Sequence, residues 1–205
     1  MNPWSARLLH FALAVDAGDR VVVLGHADEA VLKSLQGAKV QVVKAELNAE
    51  PSPGTPADYA IVPALYSVAP EVACPRLSQW VRSGGGVLVL VPNAAHISKV
   101  LRRKGRRNLG WTHAGGRQEL ERNGFGNVEV YGVPNNIAFP RTLVPLNHPA
   151  ALDWYAGSTY QPKSLKGKLM IRLIEKLPQA WQRKVLFPTL AFVAQRAPIA
   201  ERTPC

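Results

Sequence analysis

Two runs of uninterrupted apolar residues constrain this chain most: Val21-Val22-Val23-Leu24 and Val87-Leu88-Val89-Leu90-Val91. Successive side chains of a strand point to opposite faces, so a strand apolar at every position must be covered on both. The β-branched residues in both runs favour strand over helix. Strands of this kind belong to a mostly parallel sheet held between two layers of helices, and the rest of the chain supplies that alternation.

Ser5–Val15 predicts a helix with Leu8, Leu9, Ala12 and Val15 on one face, ended by Asp16-Ala17-Gly18-Asp19. Arg20–Leu24 is the first strand. Gly25-His26 turns the chain into a helix over Asp28–Leu35, closed by Gly37 as its C-cap. Val40–Val43 is the second strand, a Pro- and Gly-rich loop follows, and Asp58–Pro63 is the third. Cys74–Arg82 reads as a helix, Ser83-Gly84-Gly85-Gly86 as a turn, and Val87–Val91 as the fourth strand. A helix from Thr112 or His113 to Arg122 ends at Asn123-Gly124 and leads to a fifth strand, Asn127–Val133. Leu190–Ala194 is the last strand. Residues 134–188 form a long insertion before it, containing a helix over Leu165–Leu177 with Met170, Leu173, Ile174 and Leu177 on one face. The expectation is one domain over residues 1–205: an α/β, three-layer Rossmann-like sandwich. Its sheet is mostly parallel, with about six strands.

Composition fits that reading. Of 205 residues, 47% are hydrophobic, enough for a core without cross-links. The two cysteines, Cys74 and Cys205, make no disulfide framework, and no Cys/His cluster has metal-ligand spacing, so no metal is expected. The start of the chain lacks the pattern of a secretory signal, and no apolar run approaches a membrane span, so a cytoplasmic location is expected.

The charge points to anionic partners. Lys and Arg number 25 against 14 Asp and Glu, a net +11. Arg102-Arg103-Lys104-Gly105-Arg106-Arg107 is a dense cluster, and Lys163, Lys166, Lys168, Arg172, Lys176, Arg183 and Lys184 form a looser one. These stretches at 102–107 and 163–184 are solvated surface or contacts to nucleic acid or a membrane surface.

Several local signatures, in order, resemble the class I S-adenosylmethionine (SAM) methyltransferases over about residues 5–133 and the last strand. Val21-Val22-Val23-Leu24-Gly25 looks like the family's opening strand and the first glycine of its G-x-G-x-G loop. Asp58-Tyr59-Ala60-Ile61-Val62 is similar to its fourth strand. Leu77–Val91, with Gly84-Gly85-Gly86 before the strand, resembles its helix, glycine turn, strand unit. Leu120-Glu121-Arg122-Asn123-Gly124-Phe125 is similar to the unit leading into its sixth strand. The resemblance implies that the last strand is antiparallel. It also implies SAM as cofactor, with Gly25, Ala27, Asp28 and Glu46 as its binding positions. Glu46 lies about twenty residues past Gly25, where the family's strand-end acid holds the ribose hydroxyls.

Two departures accompany it. The loop reads Gly25-His26-Ala27-Asp28-Glu29, so Ala27 and Glu29 replace the second and third glycines. Those glycines let backbone approach the cofactor, and a Glu side chain crowds it unless swung outward. Between Glu46 and Asp58 there are too few residues for the family's next helix and third strand, so that edge strand is expected to be missing and the adenine site open or rebuilt.

Candidate catalytic groups are His26 in the turn, Tyr66 after the third strand and His113 at a helix start. All three belong to the carboxyl edge of the sheet, where ligands of open α/β sheets bind. A histidine can serve as a base near neutral pH. Asp28 and Thr112 are equally N-caps. Ser67 shares Tyr66's position, and His148, Asp153, Trp154, Tyr155 and Tyr160 either shape an acceptor site or form the insertion's own core. Three functions stay open: a methyltransferase acting on a small-molecule or anionic acceptor, a catalytically inactive methyltransferase-like scaffold with a protein partner or homodimer, or other chemistry on an anionic ligand. The edge left by the missing strand invites pairing with another chain.

Overall fold

The computed structural model describes residues 13–26, 29–51, 56–63, 65, 68–96, 110–134, 142–155, 168–169, 172 and 176–198. In chain order the elements are β1 (Arg20–Leu24), α1 (Glu29–Gly37), β2 (Gln41–Ala45), β3 (Ala57–Val62), α2 (Pro70–Trp80), β4 (Val81–Pro92) and α3 (His113–Arg122). They continue with β5 (Phe125–Val133), β6 (Val144–Pro145), α4 (Pro149–Trp154), α5 (Gln179–Val185) and β7 (Thr189–Arg196). The expected helix over Ser5–Val15 lies outside the described residues up to position 12. Leu13 is helical and Val15 is not.

The strands form one seven-stranded sheet in the order β2-β1-β3-β4-β7-β5-β6. β2, β1, β3 and β4 run parallel, while β7 is antiparallel to both β4 and β5. The expected strands all form, with the antiparallel last strand inserted between β4 and β5. β2 is the outer strand at one edge, as the short Glu46–Asp58 connection requires. At the other edge the two-residue β6, antiparallel to β5, adds a seventh strand from within the 134–188 stretch. No apolar run announces so short a segment.

The two-faced apolar strands account for the layers. Val87, Val89 and Val91 are fully buried on the face that also holds Leu77 of α2, Leu120 of α3, Trp111 and Phe187. Leu88 and Leu90 are buried on the opposite face with Val31, Leu32 and Leu35 of α1. Each such side chain contributes about 1.5–3 kcal/mol when removed from water.

Three local expectations are corrected. α2 begins at Pro70, not Cys74. Pro70 sits in the first turn, where its missing N–H costs nothing, and Pro75 lies inside the helix. The expected turn at Ser83–Gly86 is part of β4, which starts directly after Trp80. Pairing shifts between Ala57↔Val81 and Tyr59↔Gly86, so the residues between bulge outward. Gly85 allows this, because a Cβ there would lie 2.4 Å from the Asp58 carbonyl oxygen. Gly37 is the last residue of α1 rather than a left-handed cap. Lys39 takes the left-handed turn at φ 59°, with the Ala38 and Lys39 amides bonded to the Leu35 and Gln36 carbonyls.

Two polar side chains tie distant segments. The Asp58 carboxylate accepts the Arg20 amide at 2.7 Å and the Arg82 guanidinium, joining the starts of β1 and β3 to the bulge. Asn93, 1% exposed, ends β4. Its Nδ2 donates to the Lys184 and Phe187 carbonyls, both at 2.8 Å, and its Oδ1 accepts the Ala95 amide at 3.0 Å. These bonds hold the exit of α5 against β4, and the ring of Phe187 packs on Tyr155 at 5.0 Å between centroids. Neither α4 nor α5 was expected from the sequence, because tertiary contacts and not periodicity define them.

Asn93→Ala should cost about 2–3 kcal/mol in urea denaturation, since it removes the donor to one buried and one part-buried carbonyl. For Asp58, burial raises the carboxyl's pKa, but the Arg20 amide and Arg82 outweigh it and hold it below the ordinary value. A depressed carboxyl contributes stability that is present above its unfolded value and lost as pH falls through the folded one. Asp58→Asn should therefore lower Tm at neutral pH and flatten its decline below about pH 4, as followed by circular dichroism.

Candidate functional site

β1, β2, β3 and β4 are parallel, so their carboxyl ends lie along one edge of the sheet. Leu24 pairs with Ala45, and the Gly25 amide donates to the Ala45 carbonyl at 2.8 Å. This bond sets Gly25 beside the residue that follows β2, Glu46. Gly25 turns the chain at φ 82°, and a Cβ there would meet nothing within 4 Å. The glycine is thus demanded by torsion rather than by crowding. Glu46 is exposed at the start of a turn closed by the Ala49 amide on its carbonyl at 3.0 Å, with Leu47 buried beside it. His26 is exposed in the same crevice.

Glu29, in the third glycine position, is the first residue of α1. Its carboxylate pairs with Lys33 one turn on at 2.8 Å and is 77% exposed. That pairing carries the side chain along the helix surface toward solvent.

The far wall is built from β4 and α3. The Trp111 amide bonds to the Pro92 carbonyl at 3.1 Å, the Ala94 amide to the Trp111 carbonyl at 2.9 Å, and Trp111 Nε1 to the Val68 carbonyl at 3.0 Å. The segment after β3 is thereby pinned to the start of α3. Thr112 caps α3, its Oγ1 accepting the Gly115 amide at 3.0 Å. His113 follows, half-buried. It follows Trp111, which is bonded to the end of β4 and to the segment after β3.

Gly25, His26 and Glu46 thus come together at the ends of β1 and β2, and His113 lies apart from them at the start of α3. Ala27, Asp28, Tyr66, Ser67, Tyr160 and the 102–107 cluster are outside the described residues, as are Lys163 and Lys166. Tyr155 is core, packed on Phe187, whereas His148, Asp153 and Trp154 are exposed. Among the described residues no group of histidines, cysteines and carboxylates is arranged for a metal. Burial, then Glu119 and Glu71, push the Cys74 thiol up to about 12, which rules it out as a nucleophile at neutral pH. Asn93 and Trp111 as wall anchors were not foreseen. The one signal for them was their position, directly after an apolar strand and directly before a helix cap.

Two surface grooves lie elsewhere. One of about 630 Å³ is lined by Tyr59, Gly86, Asn127, Glu129 and Gln195, with Leu13 at its margin. The other, about 440 Å³, is lined by Glu129, Tyr131, Leu143 and His148. Neither includes Gly25, His26, Glu46 or His113.

No family model and no curated protein sequence matches the chain. Solved structures do. A chain from the complex between the Haloferax volcanii Trm112 methyltransferase activator and its proposed methyltransferase superposes with a TM-score of 0.56 at 15% identity, over 97% of this chain and 91% of that one. Haemonchus contortus phosphoethanolamine N-methyltransferase 2, in complex with phosphomonomethylethanolamine and S-adenosylhomocysteine, gives 0.55 at 12% identity, over 95% of this chain and 52% of its own. A SAM-dependent O-methyltransferase from Thermotoga maritima gives 0.51 at 12%, over 98% and 68%.

The fold is that of the class I SAM-dependent methyltransferases. The connection between β2 and β3 is short, and Gly25 is the left-handed residue of the turn after β1.

Two substitutions separate torsion from space at its glycines. Gly25→Ala should destabilise by about 1–2 kcal/mol, because alanine resists a left-handed backbone even with room for its Cβ. Gly37→Ala, in a helix and also with open space, should stabilise by about 0.5–1 kcal/mol. Paired urea denaturation curves read both.

Proposed function

We propose that the chain binds SAM at the Gly25–Glu46 end of the carboxyl edge and acts as a SAM-dependent methyltransferase on a small-molecule or anionic acceptor. The observation that carries this reading is the Gly25–Ala45 clamp, which holds a left-handed turn with open space at Gly25 next to the end of β2, where Glu46 follows. Glu46 would hold the ribose hydroxyls, and the Gly25 turn would admit the cofactor's chain. The Glu29–Lys33 pair biases the side chain most opposed to binding toward the helix surface. Bound SAM supplies an electrophilic methyl group on its sulfonium. The protein's part is to orient the acceptor and exclude water, so no catalytic triad or carboxylate pair is required. His26, after β1, and His113, at the start of α3, are the described groups able to take a proton from the acceptor. The net charge of +11 favours an anionic one. Among the described residues no helix is long and apolar enough to cross a membrane. The reading places the work in the cytoplasm.

A second reading is favoured by the loop and the β2 edge: a methyltransferase-like subunit that has lost turnover and works with a protein partner or a second copy. The Haloferax volcanii neighbour comes from a complex with an activator protein, which supports a partner for this fold.

Calorimetric titration with SAM and S-adenosylhomocysteine separates the two. Saturable binding is expected, weakened about tenfold by Glu46→Ala, which corresponds to about 1.4 kcal/mol. Silence up to millimolar cofactor would overturn the enzyme reading and leave the partner reading.

A further inference from the structure

We infer that the α4–α5 end of the molecule docks on an anionic lipid bilayer. Four large apolar side chains stand exposed in this part of the chain: Trp154 at 62%, Trp181 at 56%, Leu169 at 62% and Leu177 at 37%. Exposed cations accompany them: Lys168, Arg172, Lys176 and Lys184. The acid found with them among the described residues is Asp153. Tyr155, directly after α4, packs on Phe187, two residues past α5, while Trp154 on α4 and Trp181 on α5 stay outside the core. On α5, Lys184 Nζ lies 5.2 Å from the Trp181 ring centre, and Gln182 Nε2 holds the Leu177 carbonyl at 2.9 Å. Leu177, Trp181 and Lys184 are therefore fixed to one short, rigid element.

The chemistry selects the partner. Tryptophan settles at the boundary between headgroups and acyl chains, and lysine covers apolar surface with its stem while its ammonium reaches phosphates. A nucleic acid would use the cations and stack on the indoles but gains nothing from Leu169 and Leu177. An anionic bilayer takes all three kinds of side chain. No described helix is long and apolar enough to span, so the contact is with the surface. Asn93 holds the Lys184 and Phe187 carbonyls against the end of β4, so the patch adjoins the carboxyl edge of the sheet. A docked molecule would present its crevice near the lipid headgroups. The inference stands whether or not the chain binds SAM.

The full chain is sedimented with phosphatidylcholine vesicles containing about 30% phosphatidylserine, and with pure phosphatidylcholine vesicles, at about 0.1 M salt. The expected result is binding to the anionic vesicles alone. It should weaken at least tenfold in the Trp154→Ala/Trp181→Ala variant and comparably in Lys176→Glu/Lys184→Glu. Circular dichroism and Tm should match the parent, since all four side chains are exposed. If that pair of tryptophan changes disturbs the fold, Leu177→Ser with Trp181→Gln is read in its place. No binding by the parent, or binding indifferent to the tryptophan changes, would overturn the proposal. So would a loss confined to binding of a single-stranded RNA oligonucleotide, which would assign the patch to nucleic acid.

Discussion

The structure depends on β4. It pairs in parallel with β3 and antiparallel with β7, and its apolar side chains are sealed on both faces. A strand in that position cannot slip by one residue without exchanging Val87, Val89 and Val91 for Leu88 and Leu90. Both sets are apolar, so the pattern of the strand alone would tolerate the slip. Register is fixed at its ends: by the Gly84–Gly86 bulge against Asp58 at the start, and by Asn93 at the finish. Since β3, β7 and the start of α3 all attach to β4, these two polar anchors set the crevice as well as the sheet.

Strand direction then decides what the crevice contains. The parallel strands deliver the ends of β1, β2, β3 and β4 to one edge, so residues far apart in sequence, from Gly25 to Trp111, are gathered along it. Shortening the connection after β2 changes its shape. β1 is buried almost throughout, whereas β2 alternates exposed and half-buried residues because nothing among the described residues lies beyond it. Lys44 stands on that open edge, a charge that resists indiscriminate strand pairing.

What the sequence disclosed follows from the kind of force involved. β1, β3, β4, β5 and β7 were legible because burial on both faces demands apolar runs, and that demand is written residue by residue. Gly25 and Glu46 were legible because a turn after one strand and an acid ending the next are local features. β6, α4 and α5 were not. Their residues carry no period, and they exist because Tyr155 meets Phe187 and because Asn93 captures two carbonyls some ninety residues away. Gly37 misled for a related reason: a glycine at a helix end suggests a left-handed cap, yet the turn fell on Lys39, where the Gly18 amide bonds its carbonyl at 3.1 Å.

The same distinction bears on the altered nucleotide loop. A glycine can be needed for its torsion, for its lack of volume, or for both, and the sequence does not say which. At Gly25 torsion is the need, and it is met. At Glu29 volume is the concern, and the Lys33 pair draws the carboxylate to solvent. An exposed pair of this kind is worth only a few tenths of a kcal/mol. It biases the side chain without locking it, so a ligand favoured by even a modest contact can keep Glu29 aside. Loss of two glycines therefore weakens the case for cofactor binding far less than a count of missing residues suggests.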